Sequence, residues 1–394
     1  MVMRLINFMS ILVGYSVLTK AMIGVGILSL AHAMADAGWY CGIAISIISP
    51  LVMAFALYIL SSLAADHKKK IPDALTYYNV ASRLSVPAAV LLDIAIVTSS
   101  FGCAVAYSVV SGAMITELFR SVGIVLDTNL VKIVVVLFLS PFCFAKTLRR
   151  TKIINFIAIA CIAYIVLYAI VMADPFGAYM QDTMSDLSYP RSWRGVVSSI
   201  PKFVFAYGCT QNLFGVANEM LEFSTTRLNV MAFSAIATAA VFNTICSVLP
   251  FLTFGQSTAS NFLKNFDADE SAWSQSVRAA AAFQVSVGTV LIFHPLRSSV
   301  IDLFSLSGNS EFNLRFSTSL VLLLLTLATS IWIGDDLGIV INLTGLIGNS
   351  TMSFIVPCYL YCISRSFSFT WCCAAVLLVA ASLLFPLVIY DMVA

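Results

Sequence analysis

Two short stretches, each inside a long apolar run, carry the residues best suited to chemistry. The first, Lys20-Ala21-Met22-Ile23-Gly24-Val25-Gly26-Ile27-Leu28-Ser29, sets two glycines two positions apart; the second reads Phe205-Ala206-Tyr207-Gly208-Cys209-Thr210-Gln211-Asn212. Glycine tolerates irregular backbone and lets a ligand approach the main chain. Non-helical backbone at membrane depth survives only where protein or a wet cavity satisfies it. Unwinding at Gly24-Val25-Gly26 exposes N–H groups at the start of a second half-helix, where the positive end of the dipole favours a carboxylate. Unwinding after Ala206 and Tyr207 leaves carbonyls that accept from an ammonium group. Together the two breaks are expected to recognise a zwitterion, an α-amino acid. Either glycine cluster alone reads equally well as close helix packing. Interrupted segments at matching places in two halves of a chain are what point to a transporter's binding site.

The elements that must position these breaks are membrane helices. Of 394 residues 60% are hydrophobic and 10% charged, with a mean hydropathy of +0.97, far from the balance of a soluble domain. The apolar runs lack strand-like alternation, so the fold class is all-α integral membrane and a β-barrel is excluded. Runs at 10–37, 39–65, 88–119, 129–145, 153–172, 195–220, 230–254, 277–303, 316–333, 338–364 and 371–390 give about eleven transmembrane helices. They form one transporter domain over 1–394, with a first repeat at 10–172, a second at 195–364 and an extra helix at 371–390. The breaks fall in helices one and six, corresponding members of a 5+5 arrangement. With the N-terminus cytoplasmic, thirteen basic residues, among them Lys68, Lys69, Lys70, Lys146, Arg149 and Arg150, lie inside and seven outside. The C-terminus is then outside or lumenal.

Several alternatives fall away. The first run reaches Ala37 without a convincing cleavage site, so it is expected to stay in the mature protein. Cys103, Cys161, Cys246, Cys358, Cys362, Cys372 and Cys373 lie within apolar runs and read as small buried hydrophobes, so no metal site is expected. The sequons at Asn342 and Asn349 lie inside the tenth run and read as chance matches. No HExxH, GxSxG or phosphate-loop motif occurs, which argues against an enzyme or an ATP-driven pump. A net charge of +2 with scattered basic residues implies no nucleic-acid partner.

The stretch Ile23-Gly24-Val25-Gly26-Ile27-Leu28-Ser29-Leu30 followed by Ala37-Gly38-Trp39 resembles the opening of the amino acid/auxin permease family. Phe205-Ala206-Tyr207 through Glu219 is similar to that family's sixth helix. The likeness continues in Pro295-Leu296-Arg297, in Gly345-Leu346-Ile347-Gly348 and in Phe354 with Pro357, and so covers nearly the whole chain. Ala31 departs from the family's usual proline, and Thr210 stands where many relatives carry histidine. The resemblance implies the leucine-transporter-type inverted-repeat fold, with discontinuous helices one and six and a central site lined by spans one, three, six and eight.

On that basis Met22, Ile23, Gly24, Val25 and Gly26 are expected on the carboxylate side of the substrate and Phe205, Ala206, Tyr207 and Gly208 on the amine side. Tyr107 of span three is a partner for the carboxylate if it faces the cavity, or an anchor elsewhere in the bundle. Sodium-coupled relatives of this fold hold an ion between spans one and eight, so Ser286 and Thr289 with the carbonyl of Ile23 are nominated for Na⁺. Their hydroxyls bonding back along the helix is the plainer reading. Lys20, an intramembrane charge, is nominated for proton coupling or as the partner of a carboxylate, Asp93, and reads equally well as a side chain snorkelling to the cytoplasmic interface. Glu219 and Arg227 are expected to form a cytoplasmic gate with Asp93 nearby. No cofactor is implied beyond a coupling ion, Na⁺ or H⁺. The expected function is secondary active transport of an amino acid, a neutral one favoured because no acidic group obviously lies at midplane depth. The expected location is the plasma membrane or a vacuolar or lysosomal membrane, with lipid as the other partner. An amino-acid-binding membrane sensor that transports little is the alternative.

Overall fold

The computed structural model describes residues 2–70, 75–144, 152–174, 187–220, 222–266, 271–304, 311–334 and 337–393, with side chains described from Ile11. Lys146, Arg149 and Arg150 of the basic segments lie outside the described residues.

The chain opens with α1 (Val2–Met22) and, after a break at 23–25, α2 (Gly26–Lys70). The 45 residues of α2 would reach roughly 67 Å if straight, over twice a hydrocarbon core. At Gly38 the backbone has φ 71° and ψ 169°, a left-handed conformation open to glycine, and this residue separates two crossings. The Tyr189–Pro190 backbone lies where a Cβ at Gly38 would stand. The expected boundary between runs 10–37 and 39–65 falls at this residue.

There follow α3 (Tyr77–Ser82), α4 (Val86–Ser121), α5 (Thr128–Cys143) and α6 (Lys152–Val171). The sixth crossing is split into α7 (Trp193–Ala206) and α8 (Thr210–Glu219), and α9 (Thr225–Phe254) follows. Two 3₁₀ turns, Gly255–Ser257 and Phe262–Phe266, lead to α10 (Ala272–Leu303) and α11 (Glu311–Ile333). The tenth crossing runs from α12 (Leu337–Leu343) through π-helical turns at Thr344–Asn349 and Thr351–Ile355 into α13 (Val356–Ser364). Pro357, which has no N–H to donate four residues back, follows these wider turns. The last helix is α14 (Phe369–Val393). Among the described residues, eight stretches are long and apolar enough to cross a bilayer. With α5 and the two split crossings, the described residues make eleven crossings.

Side chains start these helices where the sequence places them. Ser85, Ser192, Ser224 and Ser271 accept from the N–H three residues on, and Asp127 from Asn129 N–H, so each supplies a partner to a first-turn donor. The helices pack as two groups. In one, α2 lies along α7 and α9, and α1 along α9; in the other, α4 lies along α10, with α5 and α11 against both. The π-helical stretch touches α4 on one side and α7 on the other. The side on which α1 begins is called here the N-terminal side.

Two buried cations hold helix ends in the second group. Lys132 Nζ donates to Ser330 O at 3.0 Å and Gly334 O at 2.9 Å, meeting carbonyls at the end of α11. Arg297 Nη1 donates to Cys143 O at 3.1 Å, at the end of α5, and to Ser319 Oγ at 3.2 Å. Cations are stabilising at the negative end of a helix. Lys132→Met keeps the stem and removes both donors, and is expected to cost about 2 kcal/mol. The measurement is the apparent melting temperature of the detergent-purified protein, which should fall by several degrees; an unchanged value refutes the capping role.

Among the cysteines, Cys103, Cys246 and Cys358 are buried as expected, whereas Cys161, Cys362, Cys372 and Cys373 are only half-buried. Those four lie toward the surface of the bundle, which at membrane depth is apolar too, so an apolar run did not by itself imply burial.

Candidate functional site

Both breaks are present at the places the glycines predict. The first spans Ile23 to Val25 and the second Tyr207 to Cys209. They face each other across close contacts: a Cβ built on Gly26 would lie 2.8 Å from Ala206 Cα and 3.1 Å from the Phe205 ring. Tyr107 is wedged between two glycines. A Cβ on Gly24 would come 2.5 Å from its hydroxyl, and one on Gly288 of α10 would come 2.9 Å from its ring. The structure thus puts Tyr107 against the first break and in the cavity wall.

The cavity at this junction is lined by Lys20, Met22, Gly24, Val25, Gly26, Tyr107, Phe205 and Gly208 among others. Of the ten residues nominated for substrate, Ile23, Ala206 and Tyr207 are buried but do not line it. The cavity measures about 20 Å³, little more than one water needs. Gln211 and Asn212 are shared with a larger vestibule of about 360 Å³, lined also by Tyr77, Asp93, Glu219, His294 and Asp302. The vestibule lies toward the N-terminal side, with the exposed Glu219 and Asp302 in its wall.

On the opposite side, contacts tie the helices together. Lys202 Nζ pairs with Asp36 Oδ2 at 2.6 Å, tying α7 to α2. His32 Nδ1 donates to Thr258 O at 2.9 Å, tying α2 to the segment after α9, and its Nε2 lies 3.7 Å from Asp36. Arg191 donates to both Gln256 O and its side chain, and Trp39 stacks on Phe251 with centroids 6.5 Å apart.

The charged residues are arranged differently from the sequence expectation. Lys20, 1% exposed, donates from Nζ to Gln284 Oε1 at 2.9 Å, bridging α1 and α10. It does not pair with Asp93, which lies toward the N-terminal end of α4 with Oδ2 lacking a hydrogen-bond partner among the described residues. Lys20 lines the cavity and reaches Gln284 on α10, while Asp93 lines the vestibule, so the two face different spaces. No ion pair joins Glu219 to Arg227 among the described residues: Glu219 stands in the vestibule wall and Arg227 in the first turn of α9, outside it. Ser286 donates to Ala282 O at 2.7 Å and Thr289 to Val285 O at 3.2 Å, each bonding back along α10. Their oxygens keep lone pairs, and neither residue lines the cavity.

Sequence reasoning passed over several residues that the fold brings here. Gly288 gives Tyr107 its space, and an isolated glycine in a helical run was the available signal. Asn349, read only as part of a chance sequon, is buried against Gly208 and bonded to Ser99 Oγ at 2.5 Å. Thr210, where the family resemblance leads one to look for histidine, shares a 2.7 Å hydrogen bond with Ser353 of the π-helical stretch.

Residues 9–392 match the family described as transmembrane amino acid transporter protein. The chain belongs to this family. It is 29% identical over 357 residues to vacuolar amino acid transporter 5 of Schizosaccharomyces pombe, covering 87% of this chain and 82% of that one. It is 25% identical over 301 residues to vacuolar amino acid transporter 6 of Saccharomyces cerevisiae, covering 74% of this chain and 66% of that one. The crystal structure of MhsT in complex with L-phenylalanine superposes with a TM-score of 0.62 at 12% identity, over 96% of this chain and 98% of that chain. The fold is therefore the leucine-transporter type, and this is a multi-pass membrane transporter of a family that moves amino acids.

Proposed function

We propose that this transporter moves a neutral α-amino acid by alternating access and couples that movement to protons. The observation that carries the reading is the meeting of the two breaks at one cavity, with N–H groups from Gly24 to Gly26 on one wall and the end of α7 on another. These walls supply opposite partial charges, as the two ends of a zwitterion require. No carboxylate lines the cavity among the described residues, which supports a neutral substrate side chain. The substrate then enters or leaves through the vestibule, and the Asp36–Lys202 side must open in turn.

Proton coupling is favoured by Lys20. It is a buried amine beside the cavity, and its Nζ bridges spans one and eight through Gln284; an ionisable group at this depth is a candidate to carry the proton. The vacuolar location in the names of the relatives supports a vacuolar membrane, and the basic segments a cytoplasmic N-terminus.

The test is uptake of labelled amino acids into proteoliposomes under either a sodium or a pH gradient. Accumulation of neutral amino acids driven by the pH gradient, and unchanged by removing sodium, is the expected result. Sodium-dependent accumulation overturns the coupling assignment. Binding without exchange or accumulation across a broad panel favours a sensor and overturns transport.

A further inference from the structure

The last carbonyls of α7, where the substrate's ammonium is placed above, are already engaged. Phe205 O accepts from Gly208 N–H at 3.0 Å and from Asn349 Nδ2 at 3.5 Å. Ala206 O accepts from Asn243 Nδ2, also at 3.5 Å. A carbonyl oxygen has two lone pairs. At Phe205 one serves the backbone turn and the other serves Asn349, so an ammonium reaching this oxygen has to replace the amide. The exchange favours the ammonium, because 3.5 Å is the outer limit of a hydrogen bond and a charged donor bonds about twice as strongly as a neutral one.

The two asparagines are both 1% exposed, but they are held differently. Asn243 Oδ1 has no partner among the described residues. Asn349 Oδ1 accepts from Ser99 Oγ at 2.5 Å, and a Cβ on the neighbouring Gly348 would come 2.6 Å from Ser99 Cα, so this turn is pressed onto α4. Asn349 therefore joins the two helix groups through one side chain: its oxygen is fixed to α4 and its nitrogen to the broken end of α7. It sits at the end of the first π-helical turn, a geometry that recurs at functional sites.

We propose that Asn349 is a latch that the substrate's amine opens: its amide stands in for the ammonium on Phe205 O, and substrate binding releases α7 from α4. The latch couples occupancy to movement, since the group containing α7 is freed from the group containing α4 only when the amine has replaced the amide. It rests on the assignment of the α7 carbonyls to the ammonium.

Exchange of a labelled neutral amino acid in proteoliposomes tests this with Asn349→Ala and Ser99→Ala. Removing the competing amide is expected to lower the KM by roughly three- to tenfold, with the maximal rate within about threefold of the parent. Ser99→Ala cuts the anchor and should lower KM in the same direction, by less; it carries the test if Asn349→Ala does not fold. A purely structural asparagine predicts the reverse, a falling maximal rate or a rising KM, and an unchanged or raised KM in both variants overturns the latch. Competition by the substrate's des-amino analogue in the parent protein separates the two layers. If the analogue competes as well as the amino acid, the ammonium assignment fails and the latch with it. If the analogue does not compete and KM does not fall, only the latch fails.

Discussion

Gly26→Leu is expected to reduce exchange to background while leaving expression and membrane insertion intact. At this position even a methyl group would sit 2.8 Å from Ala206 Cα and 3.0 Å from its Cβ. The nearest obstacle is backbone, so no rotamer change relieves the clash, and the leucine forces spans one and six apart at the junction of the two breaks. Insertion reads the hydropathy of the whole run, which leucine raises. Gly24→Ala is a graded companion, because the atom it meets is the Tyr107 hydroxyl at 2.5 Å, the far end of a side chain that can shift. A Gly26→Leu protein that exchanges amino acids at the parent rate would remove the broken-helix site from consideration.

The fold was legible because the bilayer leaves one kind of solution. A chain with runs of about twenty apolar residues must form helices, and glycines two apart at Gly24 and Gly26 mark where one of them opens. The central residues of the site were legible for the same reason, since broken backbone in lipid must have a purpose. Side-chain pairing was not. Lys20 lies in sequence near nothing that identifies Gln284 as its partner 264 positions away. Pairing it with Asp93 was reasonable by charge, but their heights along α1 and α4 face different cavities. Glu219 and Arg227 looked like neighbours because they are eight residues apart, yet α8 ends and α9 begins between them, and the turn sends one into the vestibule and the other away. Asn349 was hidden for a different reason. An asparagine in an apolar run reads as an anomaly, and only its two contacts, to Ser99 and to Phe205 O, show that it spans two helix groups.

Lys20→Met is expected to separate exchange from accumulation. Methionine fills nearly the same volume and keeps the apolar stem, so the wall of the cavity below Gly24 survives, but no group remains there to bind and release a proton. One unit of pH is worth about 1.4 kcal/mol, so a one-to-one coupled protein concentrates substrate about tenfold per unit of pH gradient, whereas the uncoupled variant only equilibrates it. Homoexchange, which needs no net proton movement, should stay within several-fold of the parent. The substitution leaves Gln284 Oε1 without the Lys20 donor, and its Nε2 already has no partner among the described residues. A buried amide stripped in this way costs about 1–3 kcal/mol, while replacing both partners by apolar groups is nearly neutral. The double variant Lys20→Met, Gln284→Leu therefore restores stability without restoring the proton site, and it should equilibrate substrate as the single variant does. If either variant concentrates its substrate as the parent does under the same pH gradient, Lys20 is a packing residue and the coupling group lies elsewhere, with Asp93 in the vestibule wall the next carboxylate to replace.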